Sequence, residues 1–357
     1  MQIIPDLQKY KPQSSRPARG EARLSKSLKQ GRPIVLALGN FDGFHLGHQK
    51  LLRYVVRQAK KEKALSAVLT FPQHPHSILH PDRKPMMLMS VEQKLFYLAE
   101  AGIDLCFLQS FTPAFAKMTP EDFVEKILVR KLHIREICMG HDAHFGRGRK
   151  GDTGLMEKLA GANGFLFRKM KPVMLGGKPV SSSRVRELLM KGEIERAGKC
   201  LGRPFSMFGK VIQGKGHGLH LGFPTANLEV HSEILLPLGV YVASARFLSR
   251  AQRTTRNAQR TPFKLLRCPL PVERCAKKWL RGVMNFGKRP TYPKEETPRP
   301  VLELHLMDFK GEIYGEMMEI SLHRFLRPEQ KFPTEEALKG QIQRDVQAAR
   351  RYYKKQQ

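Results

Sequence analysis

Between Ile34 and Met170 the apolar residues fall into short unbroken runs separated by stretches with helical spacing. The run Ile34–Leu38 predicts a buried strand, and an amphipathic pattern from about Gln49 to Lys60 predicts the helix after it. A second run, Leu65–Phe71, leads into PQHPHSILHPDRKP at 72–85, which reads as a loop. Ser90-Val91-Glu92-Gln93 forms a capping box ahead of a helix through Ala101. Strands are predicted at Leu105–Leu108, Glu136–Met139 and Phe165–Met170, with a helix over Pro120–Val129. Ser181–Ser183 then cap a helix that carries Arg184 and Arg186. Alternation of this kind predicts an α/β domain with a parallel sheet covered on both faces.

After about Leu201 the texture changes. Alternating segments follow at Phe205–Ile212, Val240–Phe247, Leu280–Phe286, Val301–Phe309 and Met317–Phe325, broken by Gly, Pro and Asp-Phe turns. They predict an antiparallel β-barrel. An amphipathic helix from Thr334 to about Tyr353 closes the chain, with Thr334 as cap and Glu335 and Glu336 in the first turn. The predicted organisation is a lead-in over 1–30, an α/β domain over 31–191, a linker over 192–204 and a barrel domain over 205–357. Within the barrel domain 247–280 reads as an insertion. RAQRTTRNAQRTPFKLLRCPLPVERCAKKW at 250–279 is strongly basic, holds one acid (Glu273) and has no periodicity, as a surface loop would.

A chain of 357 residues suits two domains, and 41% hydrophobic with 8% aromatic residues is enough for packed cores. No apolar run approaches the about 18 residues of a membrane span. The N-terminus is expected to hold no secretory signal, since residues 1–32 lack a compact apolar block. Five cysteines, Cys106, Cys138, Cys200, Cys268 and Cys275, are scattered and odd in number, which fits a reducing cytoplasm better than a disulfide framework. The formal charge of +31 changes the picture more, because such a field attracts polyanions: nucleic acid, anionic lipid or phosphorylated small molecules. A solvated surface rich in Lys and Arg is the plainer alternative. No RNP, helix-turn-helix or zinc-finger pattern accompanies the charge.

The candidate chemistry separates these classes. GNFDGFHLGH, from Gly39, passes from strand to helix through a glycine-rich turn that offers His45 and His48. Exposed N–H groups and the positive end of the helix suit a phosphate. The glycines form neither G-x-x-x-x-G-K-[ST] nor G-x-G-x-x-G; the histidines stand where a lysine would, and an imidazole N–H can donate to phosphoryl oxygens as charge develops. A zinc reading needs a third ligand, for which His74, His76 and His80 are nearby. A second stretch, GKVIQGKGHGLHLGFPTANLEV at 209–230, has Gly214, Gly216, Gly218 and Gly222 where the backbone can approach a ligand closely. Thr225 and Asn227 follow as hard oxygen donors of the sort Mg²⁺ accepts beside substrate phosphates. Glu303 lies between Leu302 and Leu304 on an alternating strand, so it is either an exposed ion-pair partner or a general base aimed into a site.

FDGFHLGH resembles the HxGH signature of the nucleotidyltransferase superfamily, and GNFDGFHLGHQKLL resembles the bacterial bifunctional riboflavin kinase/FMN adenylyltransferases, also called FAD synthetases. TFPQHPHSIL, LMSVEQK, FAKMTPEDFV and MGHDAHFGRGRKGD resemble that family in order and spacing, and VSSSRVRELL is similar to the superfamily's I-S-S-T-x-x-R. PTAN, LLPLGVYVA, GVMNFGKRPTY, VLELHLMDF and DFKGEIYGEMMEISLHRFLRPEQKF resemble the riboflavin kinase module. The resemblance covers roughly 30–246 and 280–350. It departs from the family pattern at Gln73, where proline is usual, and at His144, His217 and Leu219, where arginines are.

The resemblance implies a Rossmann-like nucleotidyltransferase domain, then an antiparallel barrel riboflavin kinase domain with a C-terminal helix. It implies a cytoplasmic enzyme that phosphorylates riboflavin to FMN and adenylylates FMN to FAD, both with ATP and Mg²⁺. His45 and His48 would contact the ATP phosphates, with His48 stabilising the transition state. Gly39, Phe41, Gly47, Ser181, Ser182 and Arg184 would line the ATP site, and Arg186 would hold the β- and γ-phosphates. Asp142 and Phe145 would help shape the flavin and adenine surroundings. In the barrel the resemblance implies Gly214, Gly216 and Gly218 around ATP, Thr225 and Asn227 as metal ligands, and Glu303 as the base for the ribityl 5′-hydroxyl. Asn285 and Arg327 would lie beside the flavin. Two alternatives stay open: a basic nucleic-acid-binding protein on this scaffold, and an enzyme with one module active. A homo-oligomer is possible.

Overall fold

The computed structural model describes residues 1–7, 32–73, 86–214, 217–230, 233–248, 278–288 and 300–356. His74, His76, His80, Gly216 and nearly all of the basic insertion lie outside them. Contacts divide the chain into two compact units. One joins the residues up to 73 with Lys94–Val180; the other joins Met86–Gln93 with the chain from Ser181 onward.

The first unit is built on six parallel strands: β1 (Gln2–Ile4), β2 (Ile34–Leu38), β3 (Leu65–Thr70), β4 (Leu105–Leu108), β5 (Ile134–Gly140) and β6 (Leu166–Met170). Their order in the sheet is β1-β4-β3-β2-β5-β6. Every residue of β2 and β3 is buried, which is why these strands read as apolar runs and not as alternations. Helix α1 (Leu46–Lys61) turns Leu51, Leu52, Val55 and Ala59 inward, α2 (Val91–Glu100) precedes β4, and the segment Phe123–Val129 with α3 (Thr153–Asn163) adds Phe123, Val124, Leu128, Met156 and Ala160 to the core.

Several expectations are corrected here. The lead-in begins with β1, an edge strand too short to show a period. Helix α1 starts at Leu46, three residues before the amphipathic pattern, because His45 caps it. The predicted helix over Pro120–Val129 is α-helical only to Asp122 and continues as a π-helix, Phe123–Val129. Half of the capping box forms: Ser90 Oγ accepts from the Gln93 N–H at 3.2 Å, but the Gln93 amide donates to Ser206 O (2.8 Å) and Oγ (3.1 Å) instead of reaching back. Helix α3, with Asp152 as cap, buries only Thr153, Met156 and Ala160, a stripe too weak to announce itself.

The second unit is a closed barrel of β9 (Phe205–Ile212), β10 (Thr225–Val230), β11 (Gly239–Phe247), β12 (Leu280–Lys288), β13 (Pro300–Leu306) and β14 (Met317–Pro328), after a short hairpin β7–β8 (Met174–Leu175, Lys178–Pro179) in the first unit. The strands are antiparallel in the order β10-β13-β12-β11-β14-β9. The last three residues of PTAN, Thr225–Asn227, open strand β10, a strand not expected from the sequence. Helices α4 (Ser182–Met190) and α5 (Ile194–Leu201) precede the barrel, so the stretch expected as a linker is mostly helical. Helix α5 buries Ile194, Ala197, Cys200 and Leu201 and packs on β9 and β14. The last helix, α6 (Glu335–Lys354), is capped by Thr334 as expected, and its Tyr353 hydroxyl donates to Ala243 O at 2.6 Å.

Candidate active sites

In the α/β unit the chain runs from β2 outward through β3 to β4, then returns to β5 on the other side of β2. The loops after β2 and β5 therefore flank the switch point of the sheet, where such folds bind ligands. The loop after β2 is tight. Phe41, Gly43 and Phe44 all have positive φ (53°, 81° and 49°), a cluster of left-handed conformations that functional turns retain. Phe41 is fully buried, with its ring against Gly39 and 5.2 Å from that of His48, so it shapes the turn from beneath.

His45 is itself the N-cap of α1. Its Nδ1 accepts from the His48 N–H at 3.4 Å, so the proton of the neutral ring sits on Nε2. The two imidazoles stack with centroids 3.7 Å apart and planes 18° apart. A Cβ on Gly47 would lie 3.0 Å from the His45 ring, so a side chain there would press on the imidazole. No acid occupies the first turn of α1, which leaves its positive end free for an anion. Burial pushes His45 down to about 4, against the raising field of Asp142 across the switch point. Burial, then the fields of His45 and Lys94, push His48 well below the usual histidine range. Both rings are thus neutral at pH 7, and His48 Nδ1 is out of water with no hydrogen-bond partner.

Sequence reasoning missed Lys94. It is fully buried on α2, and its Nζ donates to Phe71 O (2.8 Å) and Asn40 Oδ1 (3.3 Å). An aromatic cluster of Phe71, Phe111 and Phe115, with centroids 5.5 to 6.0 Å apart, sits beyond the ends of β3 and β4. Phe115 also lines a small cleft of about 90 Å³ with Leu7, Gln109, Ala114, Met118 and Ile127. Asp142 is exposed after β5. Phe145 is not: it packs in the core against Phe123 and bridges to Gly151, and so anchors its loop.

In the barrel unit, Ser181 Oγ caps α4 by accepting from the Arg184 N–H at 3.2 Å, while Ser182 falls inside the helix. Arg186 Nε donates to Met86 O at 2.7 Å. The barrel register brings the other predicted residues together. Asn227 on β10 pairs with Glu303 on β13, Glu303 with Asn285 on β12, Asn285 with Val240 on β11, and Val240 with Arg327 on β14. Their strand neighbours Ala226, Leu228, Leu302, Leu304, Met284 and Phe286 are buried in the barrel, so the polar row lies on its outer face. A loop covers part of that row. A Cβ on Gly214 would meet Asn227 Nδ2 at 1.8 Å, and one on Gly218 would meet Thr225 Oγ1 at 2.8 Å. Asn227 is consequently only 8% exposed despite facing outward.

Two further residues support this site. His305 Nδ1 bonds to Pro224 O at 2.9 Å; a carbonyl only accepts, so Nδ1 carries the proton and steadies the residue before Thr225. Glu329 brings a second carboxylate close to Gly287, where a Cβ would also lie 3.2 Å from Asn285 Nδ2. Arg327, at the end of the same row, makes a forked pair with buried Asp345 of α6, at 2.8 to 3.1 Å, and Gln341 Nε2 donates to the same carboxylate. It fastens α6 to the barrel. Thr225 and Asn227 present hard oxygens from one face of β10, a donor set that fits Mg²⁺ shared with nucleotide phosphates. Among the described residues no group of three or more His, Cys, Asp or Glu side chains could hold a metal by itself.

Two phosphate-oriented sites on two different folds define a two-module, nucleotide-dependent transferase. The comparisons make that particular. The family model for FAD synthetase matches residues 27–184, and that for riboflavin kinase matches 201–353. A bifunctional riboflavin kinase/FMN adenylyltransferase of Haemophilus influenzae is 32% identical over 89% of this chain and 94% of its own. One of Escherichia coli K12 is 32% identical over 94% and 97%, and one of Listeria monocytogenes 31% over 90% and 93%. The chain belongs to the bifunctional riboflavin kinase/FMN adenylyltransferase family. A solved structure titled a macrolide-efflux protein from Streptococcus pneumoniae superposes with a TM-score of 0.75 over 98% of each chain at 24% identity, which shows a shared fold alone.

Proposed function

We propose that the barrel unit phosphorylates riboflavin to FMN and that the α/β unit adenylylates FMN to FAD, with these residues in these roles. At the barrel, Glu303 orients the ribityl 5′-hydroxyl and accepts its proton as the oxygen attacks the γ-phosphorus of ATP. Little base strength is needed in a loose phosphoryl-transfer transition state, so holding the hydroxyl in line is most of its work. Thr225 and Asn227 would hold Mg²⁺, which neutralises phosphate charge when bound. Gly214, Gly216 and Gly218 let the loop close over the nucleotide, and Asn285 orients the flavin. The observation that carries the assignment is the cross-strand row Asn227–Glu303–Asn285. It sets an amide, a carboxylate and an amide side by side under a glycine loop.

At the switch point, FMN's phosphate monoester attacks the α-phosphorus of a second ATP, and pyrophosphate leaves. His45 and His48 donate to oxygens whose charge grows in the pentavalent state, from rings that stay neutral without ligand. Ser181, Ser182, Arg184 and Arg186 serve the leaving phosphates. Asp142 shapes the flavin side, and the cluster of Phe71, Phe111 and Phe115 offers an apolar surface suited to an isoalloxazine. The modules are assigned to 31–191 and 205–357, joined by 192–204. Three buried free thiols, Cys106, Cys138 and Cys200, suit a cytoplasmic setting. Incubation of the purified protein with riboflavin, ATP and Mg²⁺ should yield FMN first and FAD after it; FMN accumulating without FAD would remove the adenylyltransferase assignment.

A further inference from the structure

Lys94 raises a question the two mechanisms leave open. An ammonium with 0% exposure is costly, and a methionine of similar length would pack in its place. Its contacts indicate what it does. It reaches from α2 to the end of β3 through Phe71 O, and to the loop after β2 through Asn40 Oδ1. Burial lowers Lys94 to about 8, against the raising fields of buried Asp42, in the same loop, and of Cys106.

An ammonium has no acceptor, so the atom of Asn40 that meets it must be Oδ1. That fixes the carboxamide and turns Nδ2 the other way. Asn40 Nδ2 is out of water and has no hydrogen-bond partner, and the same is true of His48 Nδ1 eight residues along. Buried polar atoms are nearly always paired, so two orphans, one in the switch-point loop and one in the first turn of α1, mark places that a ligand completes. A donor amide next to the positive end of α1 suits a phosphoryl oxygen.

We propose that Lys94 is a positioning residue for adenylyl transfer: its ammonium locks the Asn40 carboxamide so that Nδ2 is presented as a donor to a phosphoryl oxygen of the bound nucleoside triphosphate. The proposal rests on the assignment of His45 and His48 to the ATP phosphates.

Asn40→Asp tests the donor, because it keeps the Lys94 contact, places a carboxylate against the ammonium and so retains the fold. FAD formation from FMN should fall about a hundredfold in kcat/KM, the scale of losing one transition-state donor. Riboflavin phosphorylation by the same preparation should stay unchanged. Lys94→Met should lose at least tenfold in FAD formation, and the double variant Lys94→Met/Asn40→Ala should be no worse than Asn40→Ala alone. Losses that multiply in the double variant would show that Lys94 does not act through Asn40 and overturn the proposal. So would Asn40→Asp retaining FAD formation within twofold, even if Lys94→Met fails to fold. His48→Ala separates the levels: if it too leaves FAD formation intact, the assignment of the phosphate site falls, whereas its loss with Asn40→Asp active sinks the Lys94 role alone.

Discussion

The chemistry of both sites rests on side chains whose state is set by what surrounds them. His45 and His48 are neutral because they are buried against each other and near Lys94. Their folded pKa values lie below the unfolded value near 6.5, so the unfolded chain binds more protons as pH falls. The stability they contribute is complete above about pH 6.5 and is lost as pH drops toward 4. His45→Asn keeps a capping acceptor but cannot titrate, so its thermal unfolding should depend less on pH between 6.5 and 4 than that of the wild type. Parallel curves would contradict the burial argument. In the proposed kinase site the donor from His305 to Pro224 O is an Nδ1–H. His305→Asn places an amide N–H near the same point and should keep the KM for MgATP within about threefold, while His305→Gln and His305→Ala should raise it further. The letters HxGH and PTAN were legible from sequence. Lys94, His305 and the committed pairing of Arg327 with Asp345 were not, because each is defined by a partner from 18 to 81 positions away.

Strands and helices with a strong period were legible: β2, β3, β4, β5, the long barrel strands and α6 fall close to their expected places. The elements that escaped are short or weakly patterned, as with β1, the β7–β8 hairpin and α3, or were judged by chemistry, as with β10. Register was invisible, since alternation says which face a residue takes but not which residue lies opposite. Yet register assembles the kinase row. The glycine loop of the proposed kinase site belongs to the same scale: backbone meets side chain directly at Gly214 and Gly218. Gly218→Ala would drive a methyl into Phe223 O (2.5 Å) and the Thr225 hydroxyl. Riboflavin phosphorylation should fall more than tenfold, chiefly through KM for ATP, with FMN adenylylation unchanged in the same sample. Equal loss of both activities would instead indicate general misfolding.

At the scale of the molecule, the charge of +31 is the feature that two phosphate sites do not require. If it serves substrate capture alone, binding to duplex DNA should fade before about 0.3 M salt, as purely electrostatic contacts do; retention above that would support a nucleic-acid role. The sequence distinguished an α/β half from a barrel half but not the grouping of Met86–Gln93 with the barrel unit, which follows from contacts such as Gln93 with Ser206 and Met87 N–H with Glu233. The presence of two sites in one chain, each with its own machinery, is tested most directly by resolving FMN from FAD after supplying riboflavin or FMN, with ATP and Mg²⁺, to Glu303→Ala and His48→Ala. Glu303→Ala should stop FMN formation while converting FMN to FAD within severalfold of normal, and His48→Ala should do the reverse. If either substitution abolished both steps in a stably folded protein, the two-site account would be wrong.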